Sequence, residues 1–249
     1  MKFNARTLCL LLAPIAMSAW AEDTPSDTPA VNPQVVDKLV QMGDHLRSLS
    51  KFRVDADVTR DTVLESGQKI KSQAVTTLLA EGGNRLYARI ESDTQTREFF
   101  YNGKKLTQYS PYMKYYTTVD APDNTQDTLH RIEDHYGLQV PLEDLFLLGR
   151  DQDSIDALSS ALYVGPSTIK GKLCDHLAFR QTGIDWQLWV TRSDKPLPCK
   201  LVITSTDQAS FPEYSAVYSW NLKPVPKASN FTFTPGKGDV AIPFKKAAE

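Results

Sequence analysis

The spacing of apolar residues changes several times along the chain, and each change predicts an element. Val36, Leu39, Val40 and Leu46 recur at helical spacing up to about Leu49, behind an Asn32-Pro33 pair suited to an N-cap and first turn. An amphipathic helix is therefore expected. Phe52, Val54, Ala56 and Val58 then alternate with Arg53, Asp55, Asp57 and Thr59, the period of a half-buried antiparallel strand. Strand-like runs follow over Lys69 to Ala80, Arg85 to Glu91 and Thr96 to Tyr101. Asn102-Gly103 separates Phe99-Phe100-Tyr101 from Lys104-Lys105-Leu106 and predicts a type I′ hairpin turn, in which both central residues take positive φ. Another strand is expected over Met113 to Val119.

Helical signals return in the middle of the chain. Asp123-Asn124 can cap a helix that carries Leu129 and Ile132 and ends at Gly137. A second short helix is expected around Leu142 to Leu148 before Gly149, and a third helical piece near Ser154 to Ala161. From Leu173 the period is again two, over Leu173 to Arg180, Ile184 to Thr191, Lys200 to Thr206 and Glu213 to Asn221. Thr182-Gly183 suits a tight turn, and Lys195-Pro196-Leu197-Pro198 suits a loop. Strands joined by such short turns form an antiparallel meander, so one α+β domain is expected over residues 33–249.

The first residues do not belong to that domain. Lys2 and Arg6, the apolar run Leu8 to Met17 and Ala19-Trp20-Ala21 have the order of a secretory signal peptide over residues 1–21. Residues 22–32, acidic and rich in Pro, Ser and Thr, read as a flexible leader. Cys9 lies inside the apolar run behind Leu8, so no lipid-modified N-terminal cysteine is expected. Charged residues interrupt every later apolar stretch, so no transmembrane segment is expected either. The expected location is the periplasm, as a soluble, unanchored protein.

Charge and composition then narrow the function. Cleavage would remove two basic residues and shift the net charge from −2 to −4, which offers no electrostatic footprint for nucleic acid. Twelve Gly and 15 Pro are too few for a fibrous or low-complexity chain. His130 and His135 are five residues apart, which turns the second about 140° from the first on a helix, so they do not share a metal-binding face. No G-x-S-x-G elbow and no phosphate-binding G-x-x-x-x-G-K-[ST] loop is present. Neither an enzyme, a metal site nor a cofactor is expected.

Cleavage would also remove Cys9 and leave Cys174 and Cys199 in a compartment that favours oxidation. If Gln181 faces Ile184 across the turn, Cys174 faces Thr191, and the two thiols lie on either side of one intervening strand. Regular strands two spacings apart are about 9.5 Å from each other, beyond the roughly 7 Å that a bridge spans. A disulfide then requires the strand end to splay or twist; the alternative is two buried free thiols. The same register puts Phe179 opposite Trp186 and Leu177 opposite Leu188, on one sheet face with Ile184 and Val190. Leu177, Phe179, Trp186 and Leu188 are therefore candidates for a cavity lining, and equally for an ordinary core.

Several segments carry a family resemblance: Cys174-Asp175-His176-Leu177-Ala178-Phe179-Arg180-Gln181, Asp185-Trp186-Gln187-Leu188-Trp189-Val190, Lys195-Pro196-Leu197-Pro198-Cys199-Lys200-Leu201-Val202-Ile203-Thr204, and the upstream Tyr136-Gly137-Leu138-Gln139-Val140-Pro141-Leu142-Glu143-Asp144-Leu145-Phe146. From about Pro33 onward the chain resembles a family of predicted periplasmic proteins of unknown function, itself similar to the LolA/LolB-like superfamily of lipoprotein carriers. The resemblance implies an unclosed antiparallel β-barrel, a half-barrel whose concave face is covered by helices and accepts acyl chains, and the element order agrees with it. It brings no catalytic residue. The expected function is binding or carrying an apolar ligand such as a lipid or lipoprotein acyl chain. The alternative is a cell-envelope protein-interaction module on the same fold, for which Trp189 and Trp220 would be contact candidates.

Overall fold

A computed structural model of the chain describes residues 31–136, 140, 142, 145, 148–149 and 152–244. The expected signal peptide, residues 22–30 of the expected leader, Gly137 and most of the expected helix at Leu142 to Leu148 lie outside them. Val31 bridges Ala161 in parallel. The Asn32 side chain then accepts a hydrogen bond from the Gln34 N–H at 2.9 Å, and Pro33 fills the first turn of helix α1 (Pro33–Ser48). Its apolar stripe, Val35, Leu39, Met42 and Leu46, is buried.

The strands after it are β1 (Lys51–Val63), β2 (Lys69–Glu81), β3 (Arg85–Ser92), β4 (Thr96–Tyr101), β5 (Lys105–Ser110) and β6 (Tyr115–Asp120). Helix α2 (Thr125–Tyr136) follows, capped by the Asn124 carboxamide, which accepts from the Asp127 N–H at 2.8 Å. Beyond the short helix α3 (Gln152–Asp156) come β7 (Ser160–Ile169), β8 (Lys172–Gln181), β9 (Ile184–Thr191), β10 (Pro198–Ser205), β11 (Glu213–Asn221) and the two-residue β12 (Val240–Ala241).

All twelve strands form one sheet in the order β12-β6-β5-β4-β3-β2-β1-β11-β10-β9-β8-β7, with β7 and β12 as its edges. The sheet does not close into a barrel. Every pairing between these strands is antiparallel except that of β12 with β6, where the expected meander gives way to a parallel pair. The concave face carries the inward residues of the central strands, among them Val54, Leu78, Leu86, Phe99, Leu106, Leu177, Leu188 and Leu201, each no more than 1% exposed. Leu39 and Met42 of α1 and Leu129 and Ile132 of α2 join them in one core. Contact between α1 and the turn at Leu148-Gly149 is backbone to backbone. A Cβ on Gly149 would lie 2.5 Å from the Leu39 oxygen, and one on Gly43 would lie 2.5 Å from the Leu148 oxygen.

Two local expectations are corrected. The helical piece near Ser154 to Ala161 stops at Asp156, and Ser160–Ile169 is a strand. Gly165 and Pro166 hide it, because both weaken a strand reading; they are accommodated here because β7 is an edge with a register shift between Tyr163 and Gly165. The β4–β5 hairpin forms, but its turn is displaced by one residue. Only Gly103 has positive φ, 84°, and the Asn102 side chain accepts from the Lys104 and Lys105 N–H groups, which makes Asn102 the last residue of the incoming arm.

The opposite, convex face has two smaller apolar patches. After β11 the chain returns across β3–β6, burying Phe231 to 1% exposed and setting Phe233 against Phe100, Tyr109 and Tyr116 at ring distances of 5.5, 4.8 and 4.9 Å. The second patch holds Cys174, Cys199, Trp189 and Val202.

Candidate ligand-binding site

The concave face is filled at one end and open at the other. At the filled end the β8–β9 register pairs Phe179 with Trp186 and Leu177 with Leu188. Leu177 and Leu188 are fully buried, and the Phe179 and Trp186 rings stack 3.9 Å apart, at 3% and 8% exposure. All four candidate residues thus lie together on the concave face, in contact with the core that α1 covers. Asp175, two positions before Leu177, closes this end: its carboxylate pairs with Lys38 of α1 and with Arg192 at 2.9 Å and accepts from the Tyr163 hydroxyl at 3.0 Å. Burial alone would raise its pKa; the Lys38 and Tyr163 hydrogen bonds outweigh it and hold the carboxyl below the ordinary range.

Behind this end, on the convex face, Cys174 and Cys199 form a disulfide with Cα atoms 6.8 Å apart. The reach that regular strands lack comes from a bulge. Pro198 pairs with Val190 and Lys200 with Trp189, so Cys199 is an extra residue displaced from the ladder. Trp189 beside it is only 8% exposed, stacked on His176 at 4.0 Å with Lys200 over its other side at 4.8 Å. Trp220 donates its indole N–H to the Pro198 oxygen at 2.8 Å.

At the other end the same face holds a cleft of about 970 Å³. The inward row of β1 shows the change: Phe52, Val54 and Ala56 are buried, Val58 is half-buried, and Arg60 and Thr62 are exposed. Their β2 partners run Ala80, Leu78, Thr76, Ala74, Ser72 and Ile70. The cleft lies over the second half of both rows and is lined also by Ile90 and Arg97, by Ile203 and Tyr214, and by Val140 and Leu142 above. Its wall is mixed, with aliphatic side chains beside hydroxyls and two guanidiniums. Trp186 adjoins it through its ladder partner Ile203, but none of the four sequence candidates lines it.

Charge at the cleft is arranged in pairs on one wall. Asp61 forms ion pairs with Lys71 at 2.9 Å and Lys69 at 3.1 Å and accepts from the Glu213 N–H at 3.2 Å. The Lys71 bond, then those of Lys69 and the Glu213 backbone, win over desolvation and bring its pKa down to about 2. Arg60 lies over the Tyr214 ring at 5.8 Å. The lining residues Arg60, Thr62, Ser72 and Arg97 escape a sequence search for apolar faces because they are polar; the available signal is phase, since Arg60 and Thr62 continue the parity of Val54 and Val58. Among the described residues no group of three or more His, Cys, Asp or Glu is placed to hold a metal ion, and no helix is long and apolar enough to cross a membrane.

Comparison with solved structures finds chains of similar trace at low identity. LprF from Mycobacterium bovis is 13% identical, with 83% of this chain and 100% of that one covered at a TM-score of 0.49. An uncharacterized conserved protein from Thermus thermophilus is 11% identical, with coverage of 85% and 98% and a TM-score of 0.46. The Mycobacterium tuberculosis lipoprotein LppX is 10% identical, with coverage of 78% and 98% and a TM-score of 0.40. No curated protein matches the chain by sequence. The sequence model of one family, DUF2092, described as a predicted periplasmic protein, matches residues 36–245. That match spans most of the chain and all twelve strands, and the chain belongs to the DUF2092 family.

Proposed function

We propose that this protein is a non-enzymatic carrier that binds a lipid, a lipoprotein acyl chain or another apolar ligand in the open end of its half-barrel. The cleft of about 970 Å³ between β1–β4, β10–β11 and the segment at Val140 and Leu142 carries the reading, because its volume is in the range of small-molecule sites and its wall includes the aliphatic side chains of Val58, Ile90, Ile203 and Leu142. Each methylene sequestered there contributes about 0.8 kcal/mol. Helices α1 and α2, which pack on the same core, act as the lid whose displacement admits the chain. In the same reading residues 1–21 are a signal peptide, residues 22–32 a leader and residues 33–249 the single binding domain of a secreted, unanchored periplasmic protein. Leu177, Phe179, Trp186 and Leu188 form the closed floor next to the cleft.

Organic extracts of protein purified gently from native periplasm test this by mass spectrometry. A lipid or fatty acid recovered in near-stoichiometric amount is the expected result, and extracts without any amphiphile contradict it. One observation favours the second reading, an envelope interaction module: Leu162, Tyr163 and Val164 on the edge strand β7, next to the Val31–Ala161 bridge, are 45%, 46% and 57% exposed, as on a strand that accepts an extended partner. Under that reading the extracts are empty, and an envelope protein protects this edge from hydrogen exchange.

A further inference from the structure

The cleft contains a cation that has no counter-charge among the described residues. Arg97 lies on the inward row of β4, between Phe99, which is fully buried, and Gln95 at the rim, and it faces Ile90 across the β3–β4 ladder. Its Nε is shielded from solvent and has no hydrogen-bond partner, and the guanidinium makes no ion pair among the described residues. On the sheet outside the cleft guanidiniums are matched, Arg53 with Asp55, Arg85 with Glu81, Arg89 with Glu91 and Glu98, Arg180 with Asp185, and the cleft's other guanidinium, Arg60, lies over the Tyr214 ring. Glu98, next to Arg97 in sequence, points to the convex face, where Arg89 and the Tyr87 hydroxyl occupy it. Of the two carboxylates that line the cleft, Asp61 is held by Lys69 and Lys71, and Glu213 adds to the charge around Lys71.

A guanidinium partly withdrawn from water with no anion beside it is costly, and it presents a fork of donors suited to a carboxylate or phosphate. We infer that the cleft takes an amphiphile with an acidic head group, carboxylate or phosphate, seated on Arg97, with its hydrocarbon against Val58, Ile90, Ile203 and Tyr214. This rests on the reading of the cleft as an apolar-ligand site and adds the charge that the ligand must carry.

Calorimetric titration of the delipidated mature protein with oleate, lysophosphatidic acid and oleyl alcohol tests it, alongside the variants Arg97→Gln and Arg97→Lys. A charge-assisted pair predicts that at least one acidic amphiphile binds about tenfold or more tighter than the alcohol. Arg97→Gln then removes that preference and Arg97→Lys keeps part of it, and both variants melt at the native temperature, which shows that they fold. The relative affinities of oleate and lysophosphatidic acid distinguish a free fatty acid from a phospholipid head group as the source of the acid. Equal binding of acid and alcohol, or a preference that survives Arg97→Gln, overturns the inference but leaves the carrier reading standing. Absence of binding by all three overturns both.

Discussion

The filled and open parts of the concave face share β1 and β2 but bury different chemistry. Along β1 and β2 the inward residues pass from Phe52, Val54 and Leu78 to Arg60, Thr62 and Ser72 within a few ladder steps. The first set fills its space and meets α1; the second leaves a cleft. The covalent bridge stands behind the filled end, and each end carries one buried carboxylate held by partly exposed cations, Asp175 at the filled end and Asp61 at the cleft. Cohesion and ligand capacity are therefore separated within one face, along β1 and β2 and, across the sheet, between the β8–β9 pairs and the cleft wall that continues their rows through Ile203 and Tyr214, and substitutions in the two regions should have opposite signatures.

The largest expected effect lies at the filled end. Replacing Cys174 and Cys199 together by Ser opens a bridge across a sequence separation of 25 residues. Chain entropy puts the loss at about 3.5 kcal/mol, read by denaturant unfolding. Leu188→Ala, in a fully buried side chain, should cost about 3 kcal/mol in the same assay. If either left stability unchanged, the filled end would not be the structural half.

The pH dependence sharpens the contrast. The folded-state pKa of Asp61 is depressed from 3.8 to about 2, so its contribution is complete above 3.8 and is lost as pH falls through about 2. Asp175 is shifted in the same direction. Thermal melts between pH 5 and 2 should therefore decline for the native chain, and less steeply for Asp61→Asn. The smallest effect is expected for Arg60→Gln, which loses an exposed cation–π contact and should shift stability by no more than about 1 kcal/mol.

How much of this is legible in the sequence varies by region. The β8–β9 hairpin can be read to the residue, because Thr182-Gly183 fixes Gln181 opposite Ile184 and every later pair follows. The disulfide cannot be decided that way: ideal strand spacing forbids it, and only the bulge at Cys199 brings the Cα atoms into range. Strand β7 is obscured by Gly165 and Pro166, and the displaced Gly103 turn by the stronger statistical pull of Asn-Gly. The cleft is hardest to see. Period-two reading assigns polar residues to the solvent face, whereas Arg60, Thr62, Ser72 and Arg97 are in phase with the core.

The central claim is that the open end, and not the filled one, receives the ligand. Titration of a fluorescent fatty acid into the delipidated mature protein and into Ala74→Trp, which places an indole on the inward row of β2 within the cleft, tests it most directly. The account predicts saturable one-site binding to the native chain and a loss of about tenfold or more in Ala74→Trp at unchanged melting temperature. Equal binding by both proteins, or none by the native chain, would contradict it.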